Sequence, residues 1–310
     1  MLVKEPPVQI ISGLWMLGSN LYPLYLFKGT SGAILFEGGT GAMGPLVLQQ
    51  MDALGIDKAS VKHLVVTHAH PDHVMAIPLL RRVLPGVKVL GCQTAAATLA
   101  AAKALAFFCK IDDALTRALL DAGVITDAHR PEPLTEKQIA VDRIIKEGDT
   151  VTVGGDATFK VFETPGHSPC SLSFYEASRK LLLISDATGY YLPKHDYLWP
   201  NYFVGYEQYL NSIGRLARLD TEVLCLSHNA VFKGKEDIRA YFDRAIAATQ
   251  GYHQRIIAEA RAGKSAEQIA EALGEEVYAK TQLLPLDFFK KNCALLVQQS
   301  LAHEGMSAGA

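Results

Sequence analysis

The sequence predicts an α/β protein, a sandwich of two sheets with helices outside, followed by an all-helical C-terminal extension. Three observations carry this. Short apolar runs between Gly and Asn turns fill residues 8 to 37, a second strand-rich stretch runs from about 150 to 186, and from about 235 only helical periodicity remains.

Taken in order, runs such as "GAILFE" open the first sheet and a helix is expected near 44 to 54. Val61 to Val66 reads as a buried strand, 74 to 83 as a helix with Pro78 near its first turn, and "VKVLG" as a further strand. Residues 93 to 121, rich in Ala and Leu, read as one or two helices, and 122 to 140, with Pro131 and Pro133, as a surface connection. "DTVTVGG", "TFKVFETPGH", "SLSFYE" and "KLLLISD" then read as successive strands, and "EVLCLSH" as the final one after a helix at 206 to 219. In the tail, Ile238, Phe242 and Ile246 recur every four residues, Ser265 and Gln268 form a capping-box pattern, and Leu286, Phe289, Cys293 and Leu296 share a stripe. The expected division is a domain over 1 to 235 and a helical subdomain over 236 to 310 that covers the site, mediates dimerisation, or both.

Composition narrows the function classes. The chain has 310 residues, and a formal net charge of −2 with one fifth of its residues charged gives neither the basic excess of a nucleic-acid binder nor an acidic tail. Five scattered cysteines without CxxC spacing argue against a disulfide framework and for a reducing cytoplasm. The opening residues lack the pattern of a signal peptide, and the Ala-rich run carrying Lys103 is too short to span a bilayer, so no membrane role is expected.

Chemistry concentrates where apolar runs end. "HLVVT" finishes at His68, "FKVFETPG" at His167, "LLLIS" at Asp186 and "EVLCLS" at His228, and the first is followed at once by His70, Asp72 and His73. Residues i and i+2 of an extended segment face the same way, so His68 and His70 can grip one ion while Asp72 and His73 turn toward another. Imidazole and carboxylate are ligands of zinc, iron and manganese. We assign His68, His70 and His167 to one ion, Asp72, His73 and His228 to a second, and Asp186 to a bridge between them. Two such ions about 3.5 to 4 Å apart can share a hydroxide whose pKa falls from about 15.7 toward 7, which is the chemistry of hydrolysis. Asp72 and Asp186 are the candidate catalytic residues. His63, His129, His253 and His303 read as ordinary core or surface histidines.

The run "THAHPDH" with "PGH", "SDA" and "SHNA" resembles the metallo-β-lactamase superfamily over roughly residues 8 to 235. The resemblance implies an αβ/βα sandwich with the metals at one edge, holding two divalent ions per chain, zinc first and iron or manganese as alternatives. Asp186 stands where the best-known zinc β-lactamases carry Cys, which argues against that activity. A looser similarity points to the thioesterase-like branch of the bacterial quinolone-signal response protein. Glu37 in "LFEGGTG" replaces the usual aspartate behind the ligands, and a helical tail follows; in that branch the tail covers the site and the chains dimerise. Ser185 in place of the usual Gly, Met75 in place of another Gly, and "LSHNA" in place of "PGHG" are departures from the common pattern.

The segment "GYYLPKHDYLWPNYFVGY" is far richer in aromatics than the chain as a whole. Read as a loop beside the metals, it offers Tyr190, Tyr191, Trp199 and Tyr202 as an aromatic wall, with Tyr hydroxyls or His195 to steady an oxyanion; packing against the tail is the alternative. The expected activity is attack of a metal-bridging hydroxide on a thioester carbonyl of an acyl or aryl-acyl substrate, with lactone or ester cleavage next and a metal-containing regulatory binding protein as the other class. A small-molecule carbonyl ester or thioester, a homodimer, no nucleic acid and no membrane complete the expectation.

Overall fold

A computed structural model describes residues 5–306, so the outermost ends of both expected domains lie outside the described residues. The first sheet has seven strands in sequence order: β1 (Val8–Ile11), β2 (Leu14–Gly18), β3 (Pro23–Lys28), β4 (Ala33–Phe36), β5 (Val61–Val65), β6 (Lys88–Gly91) and β7 (Arg143–Ile144). Pairing is antiparallel up to β4 and parallel from β4 to β7. Parallel neighbours need crossovers. Helices α1 (Met43–Ala53) and α2 (Ile77–Val83) provide the first two, with Pro78 in the opening turn of α2, where its missing N–H costs no hydrogen bond. Residues 93 to 121 form two helices, α3 (Gln93–Ala100) and α4 (Ala102–Asp121), which meet at 83° because Ala101 is extended.

The second half begins with β8 (Thr150–Val153), β9 (Ala157–Glu163), β10 (Leu172–Glu176) and β11 (Leu181–Leu183). The aromatic segment read as a loop is instead a short antiparallel hairpin, β12 (Tyr190–Leu192) and β13 (Tyr197–Trp199). After α5 (Tyr206–Ala217), β14 (Val223–Cys225) and β15 (Val231–Lys233) complete a sheet ordered β15-β14-β11-β10-β9-β8. Thus β14 is not the last strand. β7 and β15, at two and three residues, are too short to show a period in sequence.

At β11 and β14 the second sheet is buried on both faces, whereas β8 and β9 expose one face. Leu181, Leu183, Val223 and Cys225 face the first sheet and join its core, where Phe36 lies 4.8 Å from Phe159 and 5.2 Å from Phe174. Their alternates Leu182 and Leu224 point outward into a second core built with α5, the hairpin, and the tail helices α6 (Lys235–Arg261), α7 (Ala266–Thr281) and α8 (Leu286–His303). This is why β11 and β14 read as unbroken apolar runs. Ser265 and Gln268 form the expected capping box, each side chain accepting from the other's backbone N–H. Gly274 lets α7 and α8 touch: a Cβ there would lie 2.7 Å from Lys290 N and Cα. The tail therefore shares a core with the sheet it covers. No single helix among the described residues is long and apolar enough to cross a membrane.

Candidate metal centre

All four predicted strand ends meet. β5 runs into His68 and His70, a 3-10 turn at Pro71–His73 brings in Asp72 and His73, the β9–β10 connection carries His167, and Asp186 and His228 follow β11 and β14. Three overlapping groups have ligand atoms within 4.8 Å of one another: His68, His70 and His167; His68, His73 and Asp186; and Asp72, His73 and His228. Asp186 is central. Its Oδ2 lies 3.3 Å from His167 Nε2, 3.5 Å from His73 Nε2 and 3.8 Å from His68 Nε2, while Oδ1 lies 3.3 Å from His228 Nε2.

Each imidazole is held from behind, and the holders fix which nitrogen faces inward. His167 Nδ1 lies 3.1 Å from the Asn201 carbonyl and His228 Nδ1 2.6 Å from that of Leu21, so both nitrogens donate and both Nε2 atoms keep a lone pair for the centre. Glu37 Oε2 accepts from His73 Nδ1 at 2.7 Å and from Thr67 Oγ1 at 2.8 Å; Thr67 in turn accepts from Ser185 Oγ at 2.8 Å, and Ser185 stands 3.0 Å from His68 Nδ1. A carboxylate can only accept, so this relay runs from His68 through two hydroxyls to Glu37 and again leaves Nε2 free. Ser227 Oγ adds a bond to Glu37 Oε1. Glu37 therefore anchors the His73 ring directly and the His68 ring through the two hydroxyls. Cys170 braces the same loop, its Sγ accepting from the Ala69 N–H at 3.3 Å.

Backbone strain collects at the same place. Glu37, Ser185 and Asn229 have φ of 75°, 49° and 65°, a region non-glycine residues rarely enter. Ser185, directly before Asp186, occupies that geometry while donating to Thr67.

The donors fit a divalent metal centre. His68 Nε2, His73 Nε2 and Asp186 Oδ1 are buried without a well-directed hydrogen bond, and such atoms cost roughly 1–3 kcal/mol each unless something satisfies them. His70 Nδ1 sits 3.0 Å from the inward lone pair of His167 Nε2, a spacing a shared cation reconciles. Burial and His167 push the His70 pKa down to about 3, leaving it in the neutral, ligating form. Burial opposes charge on His73, but the Asp72, Glu37 and Asp186 carboxylates outweigh it and raise its pKa. Burial likewise works against ionisation of Asp186 and Asp72. The surrounding imidazoles overcome it and hold both acids below the usual carboxylate range.

Of the predicted aromatic wall, only Tyr190 reaches the centre, with its ring 4.6 Å from that of His228 and its buried hydroxyl unpartnered. The other three pack elsewhere. Tyr191 stands against Phe232 and Tyr241, Trp199 against Phe289 of α8, and Tyr202 bonds Ser300 of α8: strand alternation turns Tyr191 away from Tyr190, and the apolar stripes of the tail cover Trp199 and Tyr202. His195 is exposed in the turn of the hairpin, at the end opposite the Tyr190–Trp199 pair, and is not positioned to steady an oxyanion. Sequence reasoning did not single out Phe203, 5.2 Å from the His167 ring, or Tyr22, 5.4 Å from that of His228. Nor could it find Leu21 and Asn201, which act through backbone carbonyls that carry no residue signature.

Solved structures of similar shape include a metallo-beta-lactamase family protein from Thermus thermophilus, 23% identical over 96% of this chain and 95% of that one with a TM-score of 0.66. The subclass B3 metallo-beta-lactamase BJP-1 of Bradyrhizobium japonicum is 20% identical over 83% of this chain and 96% of its own, with a TM-score of 0.58. MIM-1 of Novosphingobium pentaromativorans is 23% identical over 84% and 92%, with a TM-score of 0.57. At these identities the likeness is one of fold. The sequence model of the metallo-beta-lactamase superfamily matches residues 23–228, a span that contains all seven donors. On that match, together with the convergent His and Asp side chains, the chain belongs to the metallo-beta-lactamase superfamily, whose members are mostly metal-dependent hydrolases.

Proposed function

We propose that the chain is a dinuclear metal-dependent hydrolase acting on a small thioester or ester carbonyl. The observation that carries this reading is the central place of Asp186, with Oδ2 3.3 Å from His167 of the first histidine group and Oδ1 3.3 Å from His228 of the second. His68, His70 and His167 would hold one ion and Asp72, His73 and His228 the other, with Asp186 between them. The imidazole-rich set suits zinc first, and its carboxylates also suit iron or manganese. When bound, the ions supply Lewis-acid charge and make water acidic enough to serve as a nucleophile at neutral pH.

The chain's own groups supply the rest. Asp72 is ionised and, at 24% exposure, the most open of the carboxylates, so its Oδ2 is placed to take the proton an attacking water gives up. Burial raises the pKa of Tyr190, which keeps its hydroxyl proton available to the carbonyl oxygen as negative charge grows there. Tyr190 and Phe203 flank the donors with apolar surface and exclude bulk water from the reacting carbonyl. α8 backs that flank: Gln299 Nε2 donates to the Phe203 carbonyl. The resemblance to the quinolone-signal branch supports the thioester over the other carbonyl substrates.

The test is zinc-reconstituted protein on acyl-CoA, acyl-lactone, aryl-ester and β-lactam panels, with Asp186→Asn as the control. We expect metal-dependent turnover on the thioester or ester panels, reduced at least about 1,000-fold by the substitution. Turnover of β-lactams alone would overturn the substrate class, and no metal-dependent turnover on any panel would overturn the whole reading.

A further inference from the structure

Away from the centre, the described residues contain one more cluster of metal-type donors, on the tail. His253 lies on α6, His303 is the last residue of α8, and Glu304 follows it; one ligand atom from each falls within 4.8 Å of the others. We propose that His253, His303 and Glu304 form a separate site for a divalent ion of the imidazole-preferring class, such as zinc, that ties the end of α8 to α6.

The geometry prepares the three groups for this. His253 Nε2 and Glu304 Oε1 are 3.5 Å apart, and the two imidazole rings are 5.4 Å apart, nearly perpendicular. Tyr206 of α5 stacks on the His253 ring at 4.0 Å and meets His303 edge-on at 5.0 Å, so the buried imidazole is held in plane with Nε2 toward the carboxylate. Arg261 donates to the other oxygen of Glu304 at 3.2 Å, which leaves Oε1 turned to the histidines.

The competing explanation is a plain ion pair between His253 and Glu304, which requires a protonated imidazole. Burial and the neighbouring His303 lower the His253 pKa and outweigh the opposing pull of Glu304, so a second proton on the ring is disfavoured. A cation coordinated by the neutral ring avoids that cost. Two histidines and one carboxylate leave further coordination positions open to solvent, so this ion should bind more weakly than those of the main centre.

Equilibrium dialysis of the full-length, zinc-loaded protein against zinc chloride, followed by elemental analysis, tests this directly. Wild type should retain one zinc per chain more than His303→Ala or Glu304→Gln, both changes at exposed positions. Added zinc should also raise the thermal midpoint of wild type further than that of either variant. The Asp186→Asn variant, depleted at the main centre but unchanged in the tail, should keep the extra ion, which separates this site from the hydrolase reading. Equal zinc content in wild type and both tail variants would overturn the proposal, as would an extra ion that disappears with Asp186→Asn and not with His303→Ala.

Discussion

Replacing Asp112 with Asn should stabilise the protein at pH 8 and flatten its stability profile between pH 5 and 7. Asp112 lies on the inner face of α4, 5% exposed, with Oδ1 accepting the Gly41 N–H at 2.7 Å. Burial is the main cause that pushes its pKa up to about 7; the Gly41 bond pulls it back, and the Asp113 and Asp72 carboxylates push it further. In the unfolded chain the same carboxyl titrates near 3.8. Between those values the folded state holds a proton that the unfolded state has released. Stability from this group is therefore complete below about pH 4 and is lost as pH rises toward 7. At about 1.4 kcal/mol per pH unit the full loss is about 4 kcal/mol, of which about 2 kcal/mol falls between pH 5 and 7. Asn is nearly isosteric and can accept the same N–H, giving up about 1 kcal/mol of charge-assisted bonding, so a net gain of about 2–3 kcal/mol is expected at pH 8. Urea unfolding of both proteins at pH 5 and pH 8 reads this difference. Parallel pH profiles, or an Asn variant less stable at pH 8, would refute the argument that an uncompensated buried charge is present.

Four further outcomes are expected. Glu37→Gln removes the acceptor on which the His73 and His68 anchors converge and should weaken zinc binding by about 10–100-fold in chelator competition. Tyr190→Phe should lower kcat about 100-fold on whichever substrate is hydrolysed, with zinc content unchanged. Gly274→Val places atoms inside the α7–α8 contact and should lower stability by about 2–3 kcal/mol in thermal unfolding. His195→Ala should leave kinetics and metal content at wild-type values, because the side chain is exposed at the hairpin tip.

The convergence of the seven His and Asp side chains was legible because such donors were sought at strand ends, where strands deliver side chains to one place. His68, His70, Asp72 and His73 announce themselves by spacing, and His167, Asp186 and His228 by following apolar runs. The hairpin was not legible in the same way. Tyr190 and Tyr191 are adjacent and chemically alike, yet strand alternation sends one ring to His228 and the other to Phe232, and nothing local says which faces the centre. That choice belongs to α6 and α8, whose apolar stripes lie 40 to 100 residues further on and decide where Tyr191, Trp199 and Tyr202 find cover. Ser185 and Glu37 show a third case. Their positive φ is a property of the finished turn, and only the polar bonds around them account for a non-glycine residue there.

The anchors behind the imidazoles bear on when metal can enter the molecule. Leu21 precedes β3, Glu37 follows β4, Ser185 follows β11 and Asn201 follows β13. No two of them share an element, so a nascent chain offers an ion only the short run from His68 to His73 and none of the orienting bonds that set its lone pairs. Tight loading has to wait until both sheets have closed. Metal content then works as a proofreading mark on the protein: a chain carrying its full complement is a chain whose two halves have found each other.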